Sequence, residues 1–508
     1  MRVRQVIQRG CAAAGLAILL ALLPGEAHAA GPRTHAEIGR RAWRDFLVEL
    51  EPMLPGLGEI QQDPDAMRAF WSGCTFPDFA QNGIHDEAAE FSHWYRFQRA
   101  HFDYVKAHYP PPWNADARRH LAFFFGVLCH GVGDIPWHFD EWGHQAFMNA
   151  AWEHDGRKKE IEAAGEVFCH VQYRLKPALR GRYWWPKEEM QAVFANTGFA
   201  VTAEQLDRGC RVLEKQWHKG RVLGPLVWPY GLAAYGWTWR NLAGYYYGGL
   251  DNGAAYSASC IAYYYARLHD WRYYQNIQIQ NNAFPERTPF LPCQDTTVRA
   301  DAPTHACGGE PLLELKGGGA ADCRAVLLRF DVSDWPQDKA ITQATLALYL
   351  KERRGPRERT DRVIGAYRVN RPWTEGAAHS DPASGFAGVP SDGNDATWIF
   401  SGIRGETWSM AGCNSIPGDR EPEPAARSVV RRKEPCGRWI TWDITSLAND
   451  WAAHPERNFG LLLHETGDVS RSPGSLVFYS SQAFRANAGG PGDGRCTARH
   501  PILVLRGQ

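Results

Sequence analysis

The chain is 508 residues long, too long for one hydrophobic core, so two or more domains are expected. Its 56 Lys and Arg equal its 56 Asp and Glu, which excludes a global field that would recruit nucleic acid or an anionic membrane; any attraction to a charged substrate must be local.

The N-terminus reads as a secretory signal over residues 1–29. Arg2 and Arg4 supply the positive region, AAAGLAILLALL the apolar one, and Ala27-His28-Ala29 an A-x-A cleavage site. Cys11 precedes the apolar region, which argues against a lipoprotein anchor. No later apolar run is long enough to span a bilayer, so a secreted or periplasmic protein is expected.

Residues 30–273 carry helical periodicity. THAEIGRRAWRDFLVEL places Ile38, Trp43, Phe46 and Leu47 on one stripe, and SHWYRFQRAHFDYVKAHY is a second helix stopped by the prolines at 110–112. LAFFFGVL is apolar all round and belongs in a core. It runs straight into LCHGVGDIPWH, where His130, Asp134 and His138 are spaced four apart and share one helix face. Imidazoles and a carboxylate are ligands that zinc takes, and a helix holds them rigidly, so a buried metal site is expected here. Thr202 and Gln205 form a capping box opening TAEQLDRGCRVLEKQW. GLDNGAAYSASCIAYYYARL is the last long helix, with small residues where neighbours approach closely. These features predict a compact all-α domain built around a metal cluster. Its abundant aromatics are read as core packing.

Residues 274–292 read as a linker, and from 293 to 508 the period becomes two. AVLLRFDVSDW, ATLALYLK, VIGAYRV, RWITWDITSL, FGLLLHET, GSLVFYSS and PILVLR are short strands, with one short helix near TSLANDWAAH, predicting an all-β jelly-roll sandwich. The basic run RRGPRERTDR reads as a solvated hairpin end. Six cysteines here (Cys293, Cys307, Cys323, Cys413, Cys436, Cys496) could pair completely. Five in the helical half (Cys74, Cys129, Cys169, Cys210, Cys260) leave at least one thiol; Cys129, beside His130, reads as a small buried hydrophobe.

Three further ligand-type residues stand in the helical half: His35, Asp78 in the turn FPD, and His93 in SHW. With the central helix they supply enough donors for more than one metal. THAEIGRRA, FPD, SHW, the H-x3-D-x3-H helix and GGLDNGAAYS resemble the zinc-dependent phospholipase C and S1/P1 nuclease superfamily, closest to the catalytic domain of glycosylphosphatidylinositol-specific phospholipase D, over residues 31–272. The resemblance implies an α-helical fold, up to three zinc ions, and hydrolysis of a phosphodiester of a phospholipid or glycolipid at a membrane surface. It makes His35 a ligand of one zinc with Asp134, which bridges to a second. It completes that second site with Asp78, His93 and His130, and makes Asp78 the catalytic group that orients or deprotonates water. His138 would hold the third zinc.

Where the family shows His-x3-Asp or His-x3-Glu for that third site, this chain has Glu162-x3-Glu166, with His170 in reserve; carboxylate oxygens can also ligate zinc. The family's N-terminal Trp ligand has no counterpart at Ala30-Gly31-Pro32. The β half, with LLRFD and WDITSL, resembles DNRLRE-type jelly-roll modules of secreted bacterial proteins, akin to carbohydrate-binding domains, and implies a glycan or cell-surface ligand. Two other functions are open: an S1/P1-type single-strand nuclease, against which stand the neutral charge and the lack of a Gly-Gly-Asn segment after Glu166, and a non-catalytic cell-surface binding protein on the same scaffold. No nucleic acid is expected as a partner.

Overall fold

The structure is a computed structural model that describes residues 31–80, 83–141, 143–156, 158–173, 183–277, 290–318, 321–356, 360–380, 388–466, 474–483 and 494–507. The segment read as a signal peptide and most of the linker lie outside them. The described residues form a multidomain protein of two compact units. One comprises residues up to 269 with 494–498; the other comprises 270–277, 290–483 and 499–507. No helix among the described residues is long and apolar enough to cross a membrane.

The first unit is helical. Its helices are α1 (Pro32–Asp45), α2 (Leu57–Gln62), α3 (Pro64–Gly73), α4 (Asp86–Ser92), α5 (Tyr95–His108), α6 (Ala115–His138), α7 (Phe147–Asp155), α8 (Lys158–Gln172), α9 (Lys187–Asn196), α10 (Ala203–Ala234), α11 (Gly236–Asn241) and α12 (Leu250–Leu268). α6 begins where the Asn114 side chain accepts the Ala117 N–H, and every residue from Leu121 to Trp137 is buried. The helix is therefore the axis of the unit, as its unbroken apolar run requires. The capping box at Thr202 and Gln205 is formed. The helix expected to begin at Ser92 divides into α4 and α5, because Trp94 adopts an extended backbone.

Glycines on α6 set how closely its neighbours come. A Cβ on Gly126 would fall 2.1 Å from the Phe70 carbonyl oxygen, and one on Gly73 would fall 2.2 Å from that of Phe123, so α3 and α6 touch backbone to backbone. A Cβ on Gly131 would fall 2.1 Å from the His93 carbonyl oxygen, and Gly133 and Gly253 both receive the Ile38 side chain. In this way the sequence between His130 and Asp134 admits the loop carrying His93 on one side and α1 on the other.

The second unit is a β-sandwich. Its strands are β1 (Arg272–Tyr274), β2 (Cys293–Arg299), β3 (His305–Ala306), β4 (Leu312–Leu315), β5 (Arg324–Phe330), β6 (Ile341–Arg354), β7 (Arg362–Arg368), β8 (Val389–Pro390), β9 (Ala426–Val430), β10 (Arg438–Asp443), β11 (Leu461–Thr466), β12 (Ser475–Tyr479) and β13 (Ile502–Gly507), with one helix, α13 (Thr445–Ala453). One sheet runs β1-β13-β6-β12-β4, with β10 also on β6; the other runs β2-β5-β11-β7-β9, and all pairs are antiparallel. Leu346, Leu348 and Leu350 of one sheet meet Val326, Leu328, Leu461 and Leu463 of the other in a common core. The second sheet is also covered on its outer face, where Leu327, Leu462 and Tyr367 pack with Trp373, Trp398 and Trp408. That is why VLL and LLL do not alternate.

The pairing allowed for the β-half cysteines is not formed. All eleven cysteines among the described residues are thiols, and Cys496 belongs to the helical unit, which breaks the even set.

The α3–α6 contact yields a stability prediction. Gly126→Ala forces a methyl group into backbone and should destabilise the protein by about 3 kcal/mol or more, whereas Gly244→Ala, with open space around it, should change stability by less than about 0.5 kcal/mol. Urea midpoints of the two variants check this; equal midpoints would contradict the packing.

Candidate metal centre

Six side chains from four places in the chain meet in one cluster, with Asp134 at its middle. α6 supplies His130, Asp134 and His138; α1 supplies His35; the turn Phe76–Ala80 supplies Asp78; and His93 follows α4. His35 Nε2 lies 3.2 Å and His138 Nε2 3.8 Å from Asp134 Oδ1. On the other oxygen, His130 Nε2 lies 3.4 Å and His93 Nε2 3.6 Å from Asp134 Oδ2. Asp78 Oδ1 stands 3.4 Å from His93 Nε2 and 3.8 Å from His130 Nε2. The two oxygens of one carboxylate thus face two separate sets of nitrogens. Among the described residues, His35, His130 and Asp134, and Asp78, His93 and His130, form two groups whose ligand atoms lie within 4.8 Å of one another.

Glu166, expected among the ligands, takes a different place. Its carboxylate accepts the N–H groups of Arg33 (3.1 Å) and Thr34 (2.8 Å) and the Thr34 hydroxyl (2.9 Å). α1 begins at Gly31, which has no capping side chain, and Glu166 from α8 satisfies the first N–H groups instead. Glu166 thereby holds the helix that presents His35, and neither Glu162 nor Glu166 falls in the two ligand groups. His170, the reserve candidate, contacts the Arg33 guanidinium.

The histidine rings are set by their outer nitrogens. His93 Nδ1 donates to the Ala89 carbonyl and His130 Nδ1 to the Cys74 carbonyl, each at 2.8 Å. Both Nε2 lone pairs are thereby turned into the cluster, the second-sphere arrangement typical of metal-ligating histidine.

Those inward atoms have nothing else to bond. Among the described residues, Nε2 of His35, His93, His130 and His138, and Oδ1 of Asp134, are buried without a hydrogen-bond partner. Leaving buried polar atoms without a well-formed hydrogen bond is costly, and a bound cation would satisfy them together. A contrast lies a short distance along the chain: Glu189 is also buried, but its two oxygens are taken by His101 Nε2 (2.6 Å) and His120 Nδ1. Tetrahedral zinc with bonds of about 2.0–2.1 Å puts neighbouring ligand atoms about 3.3 Å apart, and the spacing around Asp134 is of that size. The donor set, neutral imidazole and carboxylate, also suits zinc, so the residues present fit the metal.

Protonation follows the same geometry. Burial lowers His93, but contact with Asp78 and the charge of Asp134 outweigh it and lift its pKa to about 9. His35 is likewise raised, Asp134 overcoming the effect of burial. Burial dominates at His138, which falls to about 4, and at His130, which is also lowered. Without metal, protons on His35 and His93 balance the buried carboxylates.

At the cluster's rim, Phe139 is 48% exposed directly after His138, and its ring packs edge-on against Trp94, 5.8 Å away, directly after His93. Sequence reading missed this pair, although each aromatic adjoins a ligand.

Because zinc must displace the His93 proton, its apparent affinity should rise with pH by about ten-fold per unit for each proton released, and level off above about 9. Competition with a chromophoric chelator from pH 6 to 10 checks this. An affinity that is flat between 6 and 9 would contradict the assignment.

Comparison with known proteins bears on the same residues. Residues 34–174 match the family Zinc dependent phospholipase C, and residues 286–379 match Carbohydrate-binding module family 96. The chain is 28% identical over 258 residues to phosphatidylinositol-glycan-specific phospholipase D of Rattus norvegicus, covering 48% of this chain and 30% of the relative. It is 30% identical over 191 residues to that of Bos taurus, covering 35% and 22%, and 27% identical over 254 residues to that of Homo sapiens, covering 48% and 30%. The chain thus spans less than a third of the length of these relatives. Its helical unit is similar to zinc-dependent phospholipases C, and its β unit to a carbohydrate-binding module.

Proposed function

We propose that the chain is a secreted, zinc-dependent phosphodiesterase that hydrolyses head-group phosphate esters of phospholipids, of phospholipase C or D type. The observation that carries this reading is the Asp134 carboxylate, each of whose oxygens faces inward-turned imidazole Nε2 atoms, with Asp78 beside one set. A pair of sites sharing one carboxylate is the arrangement of two-metal phosphoester hydrolysis. The similarity to phosphatidylinositol-glycan-specific phospholipase D supports a lipid substrate.

In this reading His35 and Asp134 serve one zinc, and Asp78, His93, His130 and Asp134 a second. His138 with Glu162 is the candidate set for a third; Glu166 has its capping role to fill. When bound, zinc supplies a water acidified towards neutrality and offsets charge building on the phosphoryl oxygens. The protein's own groups do the rest. Asp78 is the carboxylate that orients the attacking water and accepts its proton. The Cys74 and Ala89 carbonyls keep His130 and His93 in the tautomer that faces the centre. Glu166 fixes the start of α1 and so the position of His35. Trp94 and Phe139 offer an apolar rim to the part of an amphiphile beyond its phosphate. The β unit's role is to bind glycan at the cell surface where the lipid is met.

Purified protein should release phosphorylated or free head groups from phospholipid in a chelator-sensitive way. Asp134→Asn should lower turnover by roughly a thousand-fold, on the scale of losing a principal electrostatic element, and should reduce bound zinc. Glu162→Gln should remove one zinc at most. Equal and negligible effects of both would contradict the reading, and nucleotides released from single-stranded DNA with no lipid product would make the chain a nuclease.

A further inference from the structure

α10 is the longest helix among the described residues, and its two faces differ sharply. Its inner face is closely fitted: a Cβ on Gly209 would meet the Phe79 carbonyl oxygen at 2.2 Å, one on Gly224 the His170 ring at 3.1 Å, and one on Gly231 the Phe168 ring at 3.2 Å. Leu206, Leu213 and Val227 are buried on that side. Val222 and Leu226 each stand two residues from Gly224, about 200° around the helix axis, and therefore point away from the body. They are 51% and 68% exposed, Leu226 being the most exposed large apolar residue described.

These two do not stand alone. Arg211, Lys215, Lys219, Val222, Leu226 and Pro229 recur at steps of three or four, which makes one stripe along the helix, and all six are exposed. The first half of the stripe is cationic and the second half apolar. Arg221 is also exposed beside it. The acids nearby do not match this charge: Asp207 pairs with Lys187 at 2.5 Å, and Glu214, half-buried and turned towards the Tyr183 N–H at 3.2 Å, is outnumbered by the exposed Arg211, Lys215, Lys219 and Arg221. In a chain of zero net charge, this is a local concentration of positive charge adjoining exposed apolar side chains.

We infer that the outer face of α10 docks the protein on an anionic phospholipid surface, with Val222, Leu226 and Pro229 entering the head-group boundary and Arg211, Lys215 and Lys219 against the lipid phosphates. The charge selects this occupant: an apolar stripe alone would suit a protein partner equally, but cations flanking it along one helix are the pattern of interfacial helices on anionic lipid. No helix among the described residues is long and apolar enough to cross a bilayer, so α10 lies on the surface instead of spanning it. This role gives the proposed lipid hydrolase a means of holding its substrate's surface, and it rests on that reading for its purpose.

The test uses the full chain with chelator present, so that no turnover intervenes. Binding is measured by flotation with vesicles of phosphatidylcholine alone and with about a third phosphatidylserine. The wild type should bind the anionic vesicles and be released by salt. Arg211→Gln/Lys215→Gln/Lys219→Gln should weaken that binding about a hundred-fold, each cation near the surface contributing roughly five-fold. Val222→Gln/Leu226→Gln should also weaken it, while both variants keep their circular dichroism and their hydrolysis of a water-soluble phosphodiester. Unchanged vesicle binding in both variants would overturn the inference, as would a wild type that binds neither vesicle. Loss of self-association in Val222→Gln/Leu226→Gln without loss of vesicle binding would make the stripe a contact between copies and would overturn it too. Vesicle binding as predicted, with no hydrolysis of any phosphodiester once zinc is restored, would sink the enzymatic reading and leave the docking surface standing.

Discussion

Everything in the helical unit answers to the burial of Asp134. Its carboxylate sits at 2% exposure among four imidazoles, with Asp78 alongside, and burial of such groups is tolerated only if positive charge and partners for every lone pair are supplied. Asp134 is nonetheless held well below the usual carboxylate range: burial pushes it upward, and the charges of His35 and His130 outweigh that. The neighbouring elements meet this requirement. α6 is apolar on all sides, so that its ligands face inward; Gly131 and Gly133 admit His93 and α1; and carbonyls from Cys74 and Ala89 settle the imidazole tautomers. Together these features turn the ligands inward and hold them there.

The sequence made part of this legible. His130, Asp134 and His138 share a helix face by arithmetic, because helical spacing is local and periodic. The convergence of His35, Asp78 and His93 is a long-range event that periodicity cannot express; it came from resemblance, and the structure brings the three residues to Asp134. The helix signals read well where the chemistry is local, as at the Thr202 capping box. Glu166 shows the limit. By spacing it is the partner of Glu162, yet its hydrogen bonds go to the start of α1, 132 and 133 residues away. Gly31 offers no capping side chain, and nothing local in the sequence says which residue replaces it.

In the β unit the two-sheet sandwich was readable from the alternation of β6 and β10. The runs in β5 and β11 were readable only as buried strands, because the loops that cover their outer face come from elsewhere in the chain. Counting cysteines suggested complete pairing, but compartment and number say nothing of distance, and Cys496 lies with the helical unit. Residues 286–379 of the sandwich are similar to a carbohydrate-binding module.

The most direct test of the account is crystallography of the zinc-loaded full chain with data collected on both sides of the zinc absorption edge. Anomalous difference peaks on both sides of the Asp134 carboxylate, one beside His35 and one among Asp78, His93 and His130, are the predicted result. A map without a peak at either oxygen would contradict the account and return the cluster to a structural role.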